Sequence, residues 1–134
     1  MKQKLCESAK EAAKNSYSPY SGFKVGAALL CADGSIYKGT NIENASYSVT
    51  ICAERSAVSK AVSDGKREFV AVAIAGGREE VGVEACPPCG VCRQTLLEFC
   101  DPETFKVYLV HKNGCDEYLL KELLPLGFKN EVNL

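Results

Sequence analysis

The chain has 134 residues, of which 46% are hydrophobic and 25% charged, with a formal net charge of -1. This balance fits one compact catalytic or binding domain spanning residues 1–134. The near-neutral charge argues against a nucleic-acid partner, which would demand a basic stripe, and no apolar run reaches the roughly 18 residues a membrane span needs.

Residues 2–15 predict a helix, because Leu5, Cys6, Ala9, Ala12 and Ala13 recur at helical spacing. Residues 1–10 mix charge throughout and hold no leader-like apolar core, so a cytoplasmic location is expected. Pro19 breaks the pattern. Val25, Ala27, Leu29 and Cys31 alternate with their neighbours, and Asp33-Gly34 turns the chain into residues 35–39, a hairpin. Residues 40–51 are polar and read as loop. Residues 52–64 predict a helix stopped by Gly65.

Residues 69–75 are almost wholly apolar and suit a central strand covered on both faces. Gly76-Gly77 bounds that strand. Pro87-Pro88 precede a second core helix over 89–100. Residues 106–110 and 115–119 flank Asn113-Gly114, a second hairpin. A short helix over 121–124 ends at Pro125. The order α-β-β-α-β-α-β-β-α predicts an α/β fold, a mixed sheet with helices on both faces.

Eight cysteines are the unusual count. Without a secretion signal, disulfides are the less expected use. Cys6, Cys31, Cys100 and Cys115 stand alone in apolar patterns and read as small buried hydrophobes. The others fall in or beside two motifs, Cys52-Ala53-Glu54 and Pro88-Cys89-Gly90-Val91-Cys92, each opening a predicted helix. Thiols at helix N-termini ionise more easily, because free N–H groups favour negative charge. Cys89 and Cys92, three apart, are expected on one helix face pointing to the core.

Three thiolates and a water would make an open tetrahedral zinc site, with Glu54 shuttling protons. Two residues along an ideal helix turn through about 200°, so Cys52 must stand at the cap for Glu54 to face the same point. Zinc with three thiolates carries net negative charge; the helix N-termini and Arg55 are candidates to draw charge from sulfur. Two other readings stay open on spacing alone. One is a closed structural site of Cys52, Cys86, Cys89 and Cys92; the other is a redox Cys-x-x-Cys pair. His111, the single histidine, lies by a predicted turn, which disfavours a Cys-His nucleophile.

Longer stretches resemble cytidine deaminases. They are Tyr17-Ser18-Pro19-Tyr20-Ser21-Gly22-Phe23-Lys24-Val25-Gly26-Ala27-Ala28-Leu29, Gly39-Thr40-Asn41-Ile42-Glu43-Asn44-Ala45-Ser46-Tyr47, Cys52-Ala53-Glu54-Arg55, Pro88-Cys89-Gly90-Val91-Cys92-Arg93-Gln94 and Leu123-Leu124-Pro125-Leu126-Gly127-Phe128. The likeness runs from about Tyr17 to Phe128 and is to the small homotetrameric class with three cysteine ligands. It implies a three-layer α-β-α sandwich with a mixed sheet of about five strands. It further implies hydrolytic deamination of cytidine and deoxycytidine in pyrimidine salvage, with one Zn²⁺ per chain held by Cys52, Cys89 and Cys92. Glu54 would be the proton shuttle, and Arg55 would support the thiolates. Asn41 and Glu43 would hold the ribose of a free pyrimidine nucleoside, Phe23 would line the pocket, and the Ala53 backbone would meet the base. Phe128 would stack on a base, in a neighbouring subunit. A blasticidin-type deaminase is the nearest alternative; that family lacks the Asn-x-Glu pair seen here at Asn41 and Glu43.

Overall fold

The computed structural model describes residues 1–130 of the chain. The elements are α1 (Lys2–Ala13), β1 (Phe23–Cys31), β2 (Ile36–Thr40), α2 (Ala53–Ser63), β3 (Phe69–Arg78), α3 (Gly90–Leu97), β4 (Lys106–His111), β5 (Gly114–Leu119) and α4 (Leu120–Leu123). Side chains alternate along a strand, and this splits the apolar residues into two buried clusters. Ala27, Leu29 and Cys31 of β1 join Val72, Ile74, Val107 and Leu109 beneath α2 and α3. Ala28 joins Ala71, Ala73, Ala75, Tyr108 and Val110 beneath Leu5, Cys6 and Ala9 of α1. The sheet therefore lies between helices, as the element order predicts. Truncating a fully buried residue such as Ile74 or Leu96 to alanine would cost about 2–5 kcal/mol.

The five strands run in the order β2-β1-β3-β4-β5. The β3–β4 pair is parallel, and the remaining pairs are antiparallel. The segment carrying α3 is the crossover that a parallel pair requires.

Two close approaches set where the helices sit. A Cβ on Gly26 would stand 2.2 Å from the Ala9 carbonyl oxygen, and one on Gly39 would stand 2.5 Å from that of Ala53. Both positions exclude a side chain. Gly39 in particular lets the first turn of α2 settle against β2, which fixes the height of Cys52 and Glu54 above the sheet.

Several boundaries differ from expectation. β1 begins at Phe23, two residues early. β3 continues through Gly76-Gly77 to Arg78, because these glycines are packed rather than turning: a Cβ on Gly77 would lie 2.0 Å from the Gly82 carbonyl oxygen. α3 covers Gly90–Leu97 only, so Cys89 stands outside it. The loop over 40–51 contains a short 3₁₀ turn at Tyr47–Val49, and Ile42 bridges to both Tyr17 and Ile51.

Candidate active site

Cys52 is the N-cap of α2 (φ -75, ψ 155) and Cys89 the N-cap of α3 (φ -69, ψ 168). Both are extended, and each carbonyl accepts the first helical bond, from Ser56 and Arg93 respectively, at 3.0 Å. Pro87-Pro88 hold the approach to α3 extended. Cys89 thus does not share a helix face with Cys92, as i, i+3 spacing within a continuous helix would require. It sits at the mouth while Cys92, in the first turn, is fully buried.

The two helix ends converge. Cys52 Sγ lies 3.8 Å from Cys89 Sγ, which lies 3.5 Å from Cys92 Sγ. All three sulfurs fall within 4.8 Å of one another. Tetrahedral zinc–thiolate bonds of about 2.3 Å set sulfurs about 3.8 Å apart, so the triad fits such an ion. The hydrogen bond from Cys92 pulls the Cys52 thiol down to about 5, with help from Arg55 and Cys89. The same bond, with burial, pushes Cys92 up. Arg55 faces the Cys52 and Cys92 thiols, which raise its own pKa. Its Nη2 donates to the Thr50 carbonyl at 3.3 Å, while its Nε is buried without a partner. That orphaned donor is the group a metal-held thiolate would satisfy.

Glu54 projects from the first turn of α2 and is only 5% exposed, the buried acid among the described residues. Burial pushes its carboxyl up to about 7, with the Cys52 charge adding to the rise. A carboxyl poised there can both hold and release a proton at neutral pH. The Cys52 cap is what brings Glu54 and the thiols to one place, as the helical rotation argument requires.

Cys86 is not in the metal-competent group. It packs instead where a Cβ on Gly76 would meet Phe23 Cε1 at 3.0 Å and Cys86 Sγ at 3.2 Å. Burial pushes its thiol up to about 11, which suits an apolar wall and not a ligand.

Asn41 and Glu43 have partners that sequence reasoning missed. Asn41 Oδ1 accepts from the Val25 N–H at 2.9 Å and from the Ser16 hydroxyl, and its Nδ2 donates to the Phe23 carbonyl at 2.8 Å. Glu43 Oε1 accepts from the Tyr20 and Ser21 N–H groups at 2.9 and 3.1 Å, and Oε2 accepts from the Ser21 hydroxyl. These bonds, the hydroxyl's foremost, hold Glu43 ionised. The pair therefore pins the segment 16–25 to the start of the loop that follows β2. One Asn41 amide hydrogen and further carboxylate lone pairs remain for a ligand.

Ala53 packs its methyl into the core with no exposure, leaving its backbone, at the uncapped helix start, as its polar surface. Phe128 is 76% exposed. The segment that carries it is tied to the cysteine loop through the two residues after Cys92. Arg93 donates to the Pro88 carbonyl at 2.8 Å and the Leu123 carbonyl at 2.6 Å, and Gln94 Nε2 donates to the Phe128 carbonyl at 2.7 Å. The Cys-Arg-Gln motif was visible in the sequence; its link to the C-terminal segment was not. A cleft of about 810 Å³ is lined by residues of 67–70 and 97–104 with Lys121, Leu124, Leu126, Gly127 and Lys129. Neither Glu54 nor any of Cys52, Cys89 and Cys92 lines it, so the chemistry of the side chains locates the site.

Residues 1–108 match the family model described as the cytidine and deoxycytidylate deaminase zinc-binding region. The chain belongs to the cytidine and deoxycytidylate deaminase family. Among deaminase relatives, the cytidine deaminase of Halalkalibacterium halodurans is 47% identical over 97% of this chain and 96% of its own length. That of Sporosarcina psychrophila is 48% identical over 96% and 92%. The crystal structure of cytidine deaminase from Burkholderia pseudomallei superposes with a TM-score of 0.86 at 40% identity, covering 96% of this chain and 99% of that one. The Mycobacterium tuberculosis cytidine deaminase gives 0.78 at 39%, covering 94% and 95%. The three-layer deaminase fold expected from the sequence is thus the fold observed. The zinc-binding character of the deaminase family model agrees with the donor set, three thiols at tetrahedral spacing.

Proposed function

We propose that the protein hydrolytically deaminates cytidine and deoxycytidine to uridine and deoxyuridine, releasing ammonia. The observation that carries the reading is Glu54, a carboxyl raised by burial to about 7, in the first turn of α2, whose N-cap Cys52 belongs to the three-thiol group. Cys52, Cys89 and Cys92 would hold one zinc ion per chain. When bound, zinc lowers the pKa of a coordinated water and supplies the nucleophile for C4 of the pyrimidine. Arg55 donates to the thiolates and offsets their charge.

Glu54 does the proton work. It gives a proton to N3 as C4 is attacked, then carries one to the departing amine. Its burial keeps water from competing for that proton. The Ala53 backbone meets the base, and Phe23 lines the pocket beside Cys86. Asn41 and Glu43 hold the ribose while bracing the segment 16–25, so sugar binding and loop order are linked. Phe128 stacks on a base in a neighbouring subunit of a homotetramer. Pyrimidine salvage in the cytoplasm is the setting that suits a free nucleoside substrate. A blasticidin-type substrate is not favoured, since the relatives cited above are cytidine deaminases.

The test is substrate form. Cytidine should outrun both cytosine and CMP in kcat/KM. Cytosine lacks the sugar, and a hydrogen bond to ionised Glu43 is worth about 1.5–3 kcal/mol, or one to two decades. CMP brings its phosphate toward the same carboxylate. Conversion followed spectrophotometrically, with zinc measured on the same sample, decides it. CMP turned over as fast as cytidine would overturn the nucleoside assignment.

A further inference from the structure

Cys6 and Cys115 both read from the sequence as solitary buried residues. The fold brings them together. α1 lies over the β4–β5 ladder in a register visible at its first turn. Lys2 Nζ sits 3.8 Å from Glu117 Oε1 and 5.5 Å from the centroid of the Tyr108 ring. Tyr108 and Glu117 are cross-strand partners, and the next pair but one along the ladder is Val110 with Cys115. Two strand residues advance about 6.6 Å. Four helix residues advance about 6 Å and return to the same face. Lys2 over Tyr108–Glu117 therefore places Cys6 over Val110–Cys115.

The packing agrees. Cys115 packs against the buried cluster that contains Cys6, Tyr108 and Val110. Both cysteines line one cleft of about 600 Å³, with Lys2, Glu7 and Asn113 at its margin. Burial, with the neighbouring Cys115 thiol adding to it, holds Cys6 in its protonated form. Cys31 and Cys100 belong to the cluster on the opposite side of the sheet. Cys52, Cys89 and Cys92 form the metal site.

We propose that Cys6 and Cys115 are a dithiol that reacts with a low-molecular-weight disulfide to form a reversible intrachain bond joining α1 to the edge strand β5. The half-exposed thiol opens the reaction. The Cys115 thiolate attacks one sulfur of the incoming disulfide, whose S–S bond breaks and releases one small thiol. Cys6, buried beside it, gives up its proton and attacks the Cys115 sulfur, displacing the second small thiol. Two protein thiols are oxidised, one small disulfide is reduced to two thiols, and the protons leave with them. The bond leaves the deaminase site unchanged, because neither cysteine contributes to it.

The experiment treats zinc-loaded protein with oxidised glutathione, alkylates the remaining thiols and digests with trypsin without reduction. Peptides 5–10 and 113–121 should leave as one disulfide-linked species, lighter by two hydrogens than their sum, and dithiothreitol should separate them. Two fewer thiols per chain should then be titratable under denaturing conditions. Cys6→Ser should stop at a glutathione mixed disulfide on Cys115. If Cys6→Ser fails to fold, Cys6→Ala keeps the position apolar and answers the same question. Recovery of Cys6 and Cys115 in separate alkylated peptides would overturn the proposal, as would a persistent mixed disulfide on Cys115 in the parent protein.

Discussion

The side-chain amide of Gln94 donates to the backbone carbonyl of Phe128 at 2.7 Å, joining the helix that follows the cysteine loop to the segment that presents an exposed aromatic ring. The bond fixes where Phe128 leaves the subunit. A neutral hydrogen bond is worth about 0.5–1.5 kcal/mol, so Gln94→Ala should raise KM for cytidine by up to about tenfold. Zinc content and kcat should stay near those of the parent. Gln94→Glu keeps the size but removes both N–H donors, and should behave like the alanine variant. A normal KM in Gln94→Glu would show that bulk, and not the hydrogen bond, is what matters.

Glu54→Gln should bind zinc and fold but lose at least about two decades of kcat, since an amide cannot accept and return a proton. The same variant has a pH signature in stability. Its parent carboxyl is raised from 4.5 to about 7, so the folded chain holds this proton more tightly than the unfolded one. The stabilising contribution is whole below about pH 4.5 and is lost as pH rises through 7. Near pH 8, in zinc-stripped protein, Glu54→Gln should be more stable than the parent by about 3 kcal/mol. At pH 4 the two should coincide. Chemical denaturation at both pH values measures this, and equal stabilities at pH 8 would refute the buried-carboxyl account.

Cys86→Ser should retain one zinc per chain and most of its activity. Its sulfur belongs to the Gly76–Phe23 contact, not to the three-thiol group. A metal-free Cys86→Ser would restore the four-cysteine structural reading.

Phe128, 76% exposed, should be covered in the assembled enzyme. Light scattering should give about four chain masses. Phe128→Ala should raise KM more than it lowers zinc content, since it removes stacking area and leaves the thiols in place. A fully active monomer at assay concentration would refute the shared site.

Most of the scaffold was legible because the sheet is buried on both faces. Alternation in β1 and the unbroken apolar run of β3 each leave one architecture that satisfies them, and two Asx/Gly turn signals fix the hairpins. The Gly76-Gly77 boundary misled because glycine serves both turns and close packing; only the approach of Gly82 and Cys86 distinguishes them. The thiol triad was legible from spacing, though its geometry comes from two capped helix starts and not from one shared helix face. The partners of Asn41 and Glu43 were hidden for a different reason. They lie 16 to 25 residues away in chain, and a side chain's bond to a distant residue leaves no periodic trace. The meeting of Cys6 with Cys115 was hidden likewise, since it depends on how α1 is registered on the ladder.

Cysteine at both N-caps has one more consequence. Ser, Thr, Asn or Asp there would close the helix start with a side-chain oxygen, whereas neither Cys52 nor Cys89 makes such a bond. The opening turns of α2 and α3 are thus left unfinished by the polypeptide itself. An ion drawing the three sulfurs together would complete both ends in one event, because the strands, already ladder-bonded, need no help from it. Amide hydrogen exchange should therefore record metal loading as a local slowing over the first turns of these two helices, with the sheet silent. Such a record would give metal occupancy residue by residue, independently of any turnover.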